Sequence, residues 1–315
     1  MNLNFGNLIG ALPGGIAQGI IWGFMALGVY ITFRLLDIAD LTVDGSFTTG
    51  GAVTVMLILG GTPPWLALII ACFAGMCAGT VTGLLHTVFD IPAILSGILT
   101  QFALYSINLA IMGMTANKAL PVDRYALFLT SRKIPVSILK GAVLAAVIIA
   151  LLYWYFGTEH GAAMRATGSN PEMAKAQGIN INTMKVIGLA MSNGLVSLSG
   201  GLLSQYQGFA DINMGRGAIV IGLAAVIIGE VLTSGALRKV LNFGGRLAFV
   251  IVGGILYYLV IVIVLWMKLD SNYLKLLTAV VVAVFLSVPN MQAKMKTSFR
   301  LAGKRSDITG QEAGK

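Results

Sequence analysis

The chain has 315 residues, 57% of them hydrophobic and only 10% charged, with 21 Lys and Arg against 12 Asp and Glu for a net charge of +9. A soluble chain of this size covers its surface with about a quarter charged residues, so the composition excludes a soluble enzyme and indicates an integral membrane protein of mean hydropathy +0.87. Without a soluble basic domain, the positive charge bears on membrane orientation and not on nucleic acid.

Apolar runs of about 20 residues cross a hydrocarbon core as helices. They predict an all-α, polytopic membrane bundle of about nine spans, within a range of eight to ten, over residues 1–290. The expected spans are Gly14–Leu36, Asp44–Leu59, Pro64–Phe89, Pro92–Gly113, Ile138–Phe156, Val186–Tyr206, Met214–Leu232, Arg246–Trp266 and Tyr273–Val288. The second and seventh are the least regular. No Lys or Arg precedes the first run, so that span is expected to be retained and not cleaved as a signal peptide.

Gly15, Gly19 and Gly23 share a face of the first span, and Gly75, Gly79 and Gly83 share one of the third. Such stripes let helix backbones approach closely, and packing within one subunit is the favoured reading over a subunit interface. Cys72 and Cys77 lie on one helix, too close in sequence to bridge sensibly, and read as small packing residues.

Two polar, Gly-rich segments interrupt the pattern: LTVDGSFTTGG at Leu41–Gly51 and ADINMGRG at Ala210–Gly217, each leading into a short apolar helix. Paired interruptions point to discontinuous helices lining a pathway, because irregular backbone at membrane depth must be buried in protein or face water. Between the third and fourth spans, His86 and Asp90 read as structural groups in a turn.

In the fourth span Gln101, Tyr105 and Asn108 fall on one helical face with Ser96 and Thr100 nearby, and in the sixth Asn193 and Ser197 share a face. These are the candidate substrate-pathway residues, since polar groups are costly against lipid. Interhelical hydrogen bonding is an equal reading for each. Asp37, Asp40 and Asp44 beside Arg34 are read as an interfacial ion-pair network, and Glu230 near Arg238 and Lys239 likewise.

The longest polar stretch between spans runs from His160 to Val186, within a loop of about 158–185. Ser169 or Asn170 caps a short helix over Pro171–Gln177, with Pro171 in the first turn, Glu172 at the positive end of the dipole and Gly178 as the stop. A helix of about two turns is too short to stand alone and needs a partner. After Pro289 the tail holds Lys294, Lys296, Arg300, Lys304, Arg305 and Lys315. This basic tail, 291–315, is expected to be disordered and cytoplasmic, which places the long loop in the cytoplasm too. The same count assigns Arg216 to the outer side. No clustered ligands suggest a metal, and no nucleophile and base suggest catalysis.

The segment RATGSNPEMAKAQGIN resembles the cytoplasmic coupling-helix region of permeases in ATP-binding-cassette importers of the branched-chain amino acid permease superfamily. Arg165, Gly168, Asn170, Ala174, Gly178 and Ile179 match its pattern, with Pro171 and Glu172 inside it. ADLTVDGSFTTGGAV and IPAILSGILT more closely resemble the tryptophan/tyrosine transport permease subgroup. The likeness runs from about Ala11 to Pro289. It implies a type II importer-like permease in a bacterial plasma (inner) membrane, without an ATPase of its own, and the chain contains no phosphate loop G-x-x-x-x-G-K-[ST]. By this resemblance ATP and Mg²⁺ are bound by a cytoplasmic ATPase dimer, an extracytoplasmic binding protein delivers a small polar solute such as an amino acid, aromatic in that subgroup, and a second copy completes a homodimer. The alternative is a secondary transporter or channel working without ATP.

Overall fold

A computed structural model of the chain describes residues 5–233 and 242–266, with isolated positions between 276 and 283. The chain divides into a unit Met1–Lys268, which holds every element below, and a second unit, Leu269–Lys315. Helix α1 (Phe5–Val29) runs into a π-helical turn at Tyr30–Leu35. Then come α2 (Thr42–Leu59), α3 (Pro64–Thr87) and α4 (Ala93–Ile111). A short strand β1 (Asn117–Ala119) precedes α5 (Ile134–Gly157), α6 (Glu159–Ser169), α7 (Pro171–Ala176) and α8 (Ile181–Gln207). Strand β2 (Phe209–Asp211), α9 (Ala218–Thr233) and α10 (Phe243–Trp266) follow.

Among the described residues, 7 helices are long and apolar enough to cross a membrane, and α9 is a shorter apolar helix. These eight correspond in order to the first eight expected spans. The ninth, Tyr273–Val288, falls almost wholly outside the described residues, as does the tail 291–315.

The bundle has two distinguishable ends. At one, Gly168 of α6 packs on the backbone of Leu35 and Leu36, and Lys185 Nζ at the start of α8 lies 3.4 Å from His86 Nε2 at the end of α3. His86 Nδ1 also reaches the carbonyl of Ile91 across the α3–α4 turn at 2.9 Å, the structural part expected of it. We call this the α7 end. At the other, the ribbon end, β1 and β2 pair antiparallel with Lys118 opposite Ala210. There the buried Gln205 amide donates to the Pro64 carbonyl at 3.1 Å and accepts from the Phe128 N–H at 2.9 Å.

Helix α8 is the axis, packed against α1, α2 and α3. No hydrophobic force drives helices together in lipid, so close backbone approach and polar contacts do that work. Gly200 sits on the Phe47 carbonyl and Gly50 on that of Ser197, interlocking α2 and α8 without side chains between them. Ser192 and Ser199 donate to the α1 carbonyls of Gly28 and Ile21, each at 2.7 Å. Both glycine stripes serve packing within the subunit, as expected: Gly15, Gly19 and Gly23 meet α10, and Gly75, Gly79 and Gly83 meet α8.

The two interruptions resolve differently from their sequence boundaries. Leu41–Gly51 is helical from Thr42 onward, and the break lies just before it, at 36–41. From the α7 end this segment climbs back to the middle of α8, where Asp40 accepts a hydrogen bond from Asn193, and only there does α2 begin. Ala210–Gly217 is irregular after β2 and descends from the ribbon end until Gly215 N–H reaches Thr48 Oγ1 at 3.2 Å. Helices α2 and α9 therefore both start at mid-depth.

Candidate coupling surface and mid-depth site

The His160–Val186 stretch is more ordered than its polarity suggests. Most of the part expected as loop before Ser169 is helix α6, started by Thr158, whose Oγ1 accepts from Gly161 N–H at 3.4 Å. Its buried face, Gly161, Met164 and Thr167, seats it on the bundle. Arg165 lies over the Phe243 ring at 5.9 Å, a cation–π contact joining α6 to the start of α10.

Helix α7 follows without a spacer beyond Asn170, which is the cap: its Oδ1 accepts from Met173 N–H at 3.0 Å. Pro171 occupies the first turn, where its missing N–H costs nothing. Gly178 ends the helix with φ +81°, and Ile179 N–H bonds back to the Ala174 carbonyl at 3.1 Å. Asn180 then caps α8 through Thr183 N–H at 3.2 Å. Only Ala174 of α7 is buried. Pro171, Glu172, Met173 and Lys175 all face outward, and Met173 is 59% exposed, an apolar group displayed on a polar module.

Most of the expected pathway residues are committed to holding helices together. Asn193, fully buried, donates to Asp40 Oδ2 at 2.6 Å and accepts from Ser46 Oγ at 2.7 Å. Ser197 donates to the Ala71 carbonyl at 2.6 Å. Thr100 bonds the Ser96 carbonyl and accepts from Thr82, and Ser96 itself bonds the carbonyls of Ile91 and Pro92. Asn108 donates to the Gly45 carbonyl at 3.3 Å. Asn193, Ser197, Thr100 and Asn108 thus bond across helices, and Ser96 bonds back to carbonyls at the start of its own helix.

Gln101 and Tyr105 are different. Their side chains make no hydrogen bond to the described residues and line a cavity of about 540 Å³ together with Asp44, Thr48, Phe102 and Arg216. Sequence reasoning missed the last four as a set. Arg216 is not at an outer boundary: Gly215 beside it packs on the Asp44 carbonyl, and Gly45 packs on Gln101 and Leu104 in the middle of α4. A basic residue immediately before an apolar helix too short to cross was the available signal.

The acidic cluster is also rearranged. Arg34 pairs with Glu230 at 2.6 Å, not with the aspartates, so the expected Asp37–Asp40–Asp44 ion-pair network does not form; Arg238 and Lys239 lie outside the described residues. Asp40 accepts from Thr42 N–H at 2.9 Å at the start of α2. Asp44 accepts from Gly217 and Ile219 N–H, each at 2.9 Å, so its charge sits against the positive end of α9.

A family model described as "Branched-chain amino acid transport system / permease component" matches residues 12–288. The chain is 38% identical over 290 residues to a tyrosine transport system permease protein of Clostridioides difficile, across 92% of this chain and 95% of that one. It is 29% identical over 177 residues to the autoinducer 2 import system permease protein LsrC of Yersinia pseudotuberculosis, across 56% of this chain and 49% of that one. Among solved structures, PsaBC from Streptococcus pneumoniae in complex with Fab superposes with a TM-score of 0.52 at 16% identity, covering 90% of this chain and 94% of that one. At that identity the likeness is one of fold.

Proposed function

This chain belongs to the branched-chain amino acid transport permease family, and from that premise we propose that it forms the translocation pathway of a binding-protein-dependent importer for an amino acid with an aromatic side chain. It is a multi-pass membrane protein and a transport subunit of an ABC-type system, not an enzyme. The finer reading is that α7 rests in a cleft of a cytoplasmic ATPase, that ATP and Mg²⁺ act there, and that two copies of this chain face an ATPase dimer. An extracytoplasmic binding protein then docks at the ribbon end. The α7 end and the C-terminus lie in the cytoplasm of a cell bounded by this inner membrane, in keeping with the basic residues after Pro289.

The observation that carries this reading is the α6–α7 module. Three side-chain caps and a left-handed glycine fix the α6–α7–α8 connection, in which α7 faces outward except at Ala174. A helix too short to be stable alone is held rigid here, so its exposed face is available to transmit a push as a rigid body. The C. difficile relative supports the substrate class.

The test is gentle extraction from the native membrane followed by mass spectrometry and transport in liposomes. A stoichiometric subunit with a phosphate loop, and uptake that needs ATP, are expected. Glu172→Lys and Gly178→Pro are expected to insert normally while ATPase binding weakens and uptake stops. A chain that emerges alone and moves solute without ATP would establish the secondary-transporter alternative.

A further inference from the structure

The mid-depth cavity has charge of both signs and an aromatic wall. Asp44 and Arg216 line it without pairing to each other: the ion pairs among the described residues are Arg34–Glu230 and Arg132–Asp123. Arg216 makes no side-chain hydrogen bond to the described residues, although its backbone is fixed. Its N–H bonds the Asn213 carbonyl at 3.0 Å, and Gly215 and Gly217 on either side are tied to Thr48 and Asp44. Arg216 is exposed, with its backbone level with the middle of α4, and an ionisable group at such depth marks a solute pathway. A lipid phosphate lies too far from the midplane to be its counter-ion.

Asp44 spends two of about four carboxylate acceptor positions on α9 and keeps capacity for another donor. Gln101 Oε1 and Nε2 and the Thr48 hydroxyl add neutral polar contacts, while Phe102 and Tyr105 supply ring faces. The volume, 540 Å³, lies within the range of about 300–1,000 Å³ typical of small-molecule sites.

We propose that this cavity is a transient binding site for a zwitterionic aromatic amino acid, whose carboxylate is held by Arg216, whose ammonium faces Asp44, and whose ring lies against Phe102 and Tyr105. This deepens, and rests on, the importer reading above. A guanidinium fork and a carboxylate set apart select a molecule bearing both charges, and discriminate against one bearing a single charge because it leaves the other protein group unpaired.

The experiment uses the permease–ATPase complex in nanodiscs without the binding protein, so that selectivity measured is that of the membrane pathway. Radiolabelled L-tyrosine is displaced by unlabelled L-tyrosine, by tyramine, which lacks the carboxylate, and by 3-(4-hydroxyphenyl)propionate, which lacks the ammonium. L-tyrosine is expected to displace at concentrations about tenfold lower than either analogue. In Arg216→Gln the preference for tyrosine over tyramine shrinks to less than about twofold, and Arg216→Lys restores part of it, while the preference over the propionate, set by Asp44, persists. An unchanged tyramine discrimination in Arg216→Gln overturns the assignment, as does a wild-type complex that does not distinguish the three or does not bind tyrosine. Proteoliposome uptake separates the two readings. ATP-driven amino acid uptake with the wrong analogue pattern rejects this site alone, whereas absence of any ATP-driven amino acid uptake rejects the importer reading with it.

Discussion

The α6–α7 module and the mid-depth junction of α2 with α9 both need polar side chains to satisfy helix ends, and they do so over different ranges. In the module every cap is local: Thr158, Asn170 and Asn180 each accept from a backbone N–H three residues on. At the junction Asp44 reaches Gly217 and Ile219, and Asn193 joins Asp40 and Ser46, partners 147 to 175 residues apart in sequence. Water at a bundle end forgives a missing partner; protein at mid-depth does not. The module is accordingly suited to being moved and the junction to staying assembled.

Four substitutions would break or sharpen that contrast. The largest effect is expected from Gly50→Leu, where any Cβ runs into the Ser197 backbone, with destabilisation of about 3 kcal/mol or more. Little folded protein should survive detergent extraction, and a normal melting temperature would show that α2 and α8 separate more freely than their contact implies. Asn193→Ala removes partners from Asp40 and Ser46 together and should cost about 2–3 kcal/mol, measured as a loss of thermal stability in detergent. In the module, Asn170→Ala should cost only about 1 kcal/mol, visible as faster hydrogen exchange of Met173 and its neighbours with the bundle unaffected. If Asn170→Ala proves as damaging as Asn193→Ala, the contrast fails. Smallest in stability is Gln101→Leu, expected to melt normally and assemble while solute affinity falls a few-fold; failure to assemble would move Gln101 to the packing class.

The same difference of range explains what could be read from the chain before folding. Membrane class, the order of eight spans, the intrasubunit glycine stripes and the Asn170–Pro171–Gly178 frame depend on neighbours in sequence, and they are legible there. The partners of Asp40, Asp44 and Arg34 are set by where three helices converge, and proximity in sequence misassigned them: Arg34 lies near three aspartates yet pairs with Glu230. Nothing in the local sequence separates Asn193 and Ser197 from pathway residues; the glycine backbones of α2 and α3 pressed against this part of α8 do. Gln101, Tyr105 and Asn108 share a face of α4, and only the fold shows that Asn108 bonds the Gly45 carbonyl while the other two line the cavity. Helix α6 was hidden because its glycines, poor helix formers in isolation, are there to meet the backbones of Phe156 and Leu35.

Helix α8 runs unbroken from the Asn180 cap to the left-handed Gly208, a rod about 40 Å long at 1.5 Å per residue. The glycines of α2 and α3 seat directly on its backbone, and a rod held this closely would act as a lever. A tilt of about five degrees introduced beside α7 becomes a shift of about 3.5 Å at the far end. There the Gln205 amide bonds both the start of α3 and the segment after β1, so a tilt that reached this end would carry the ribbon-end surface sideways with it.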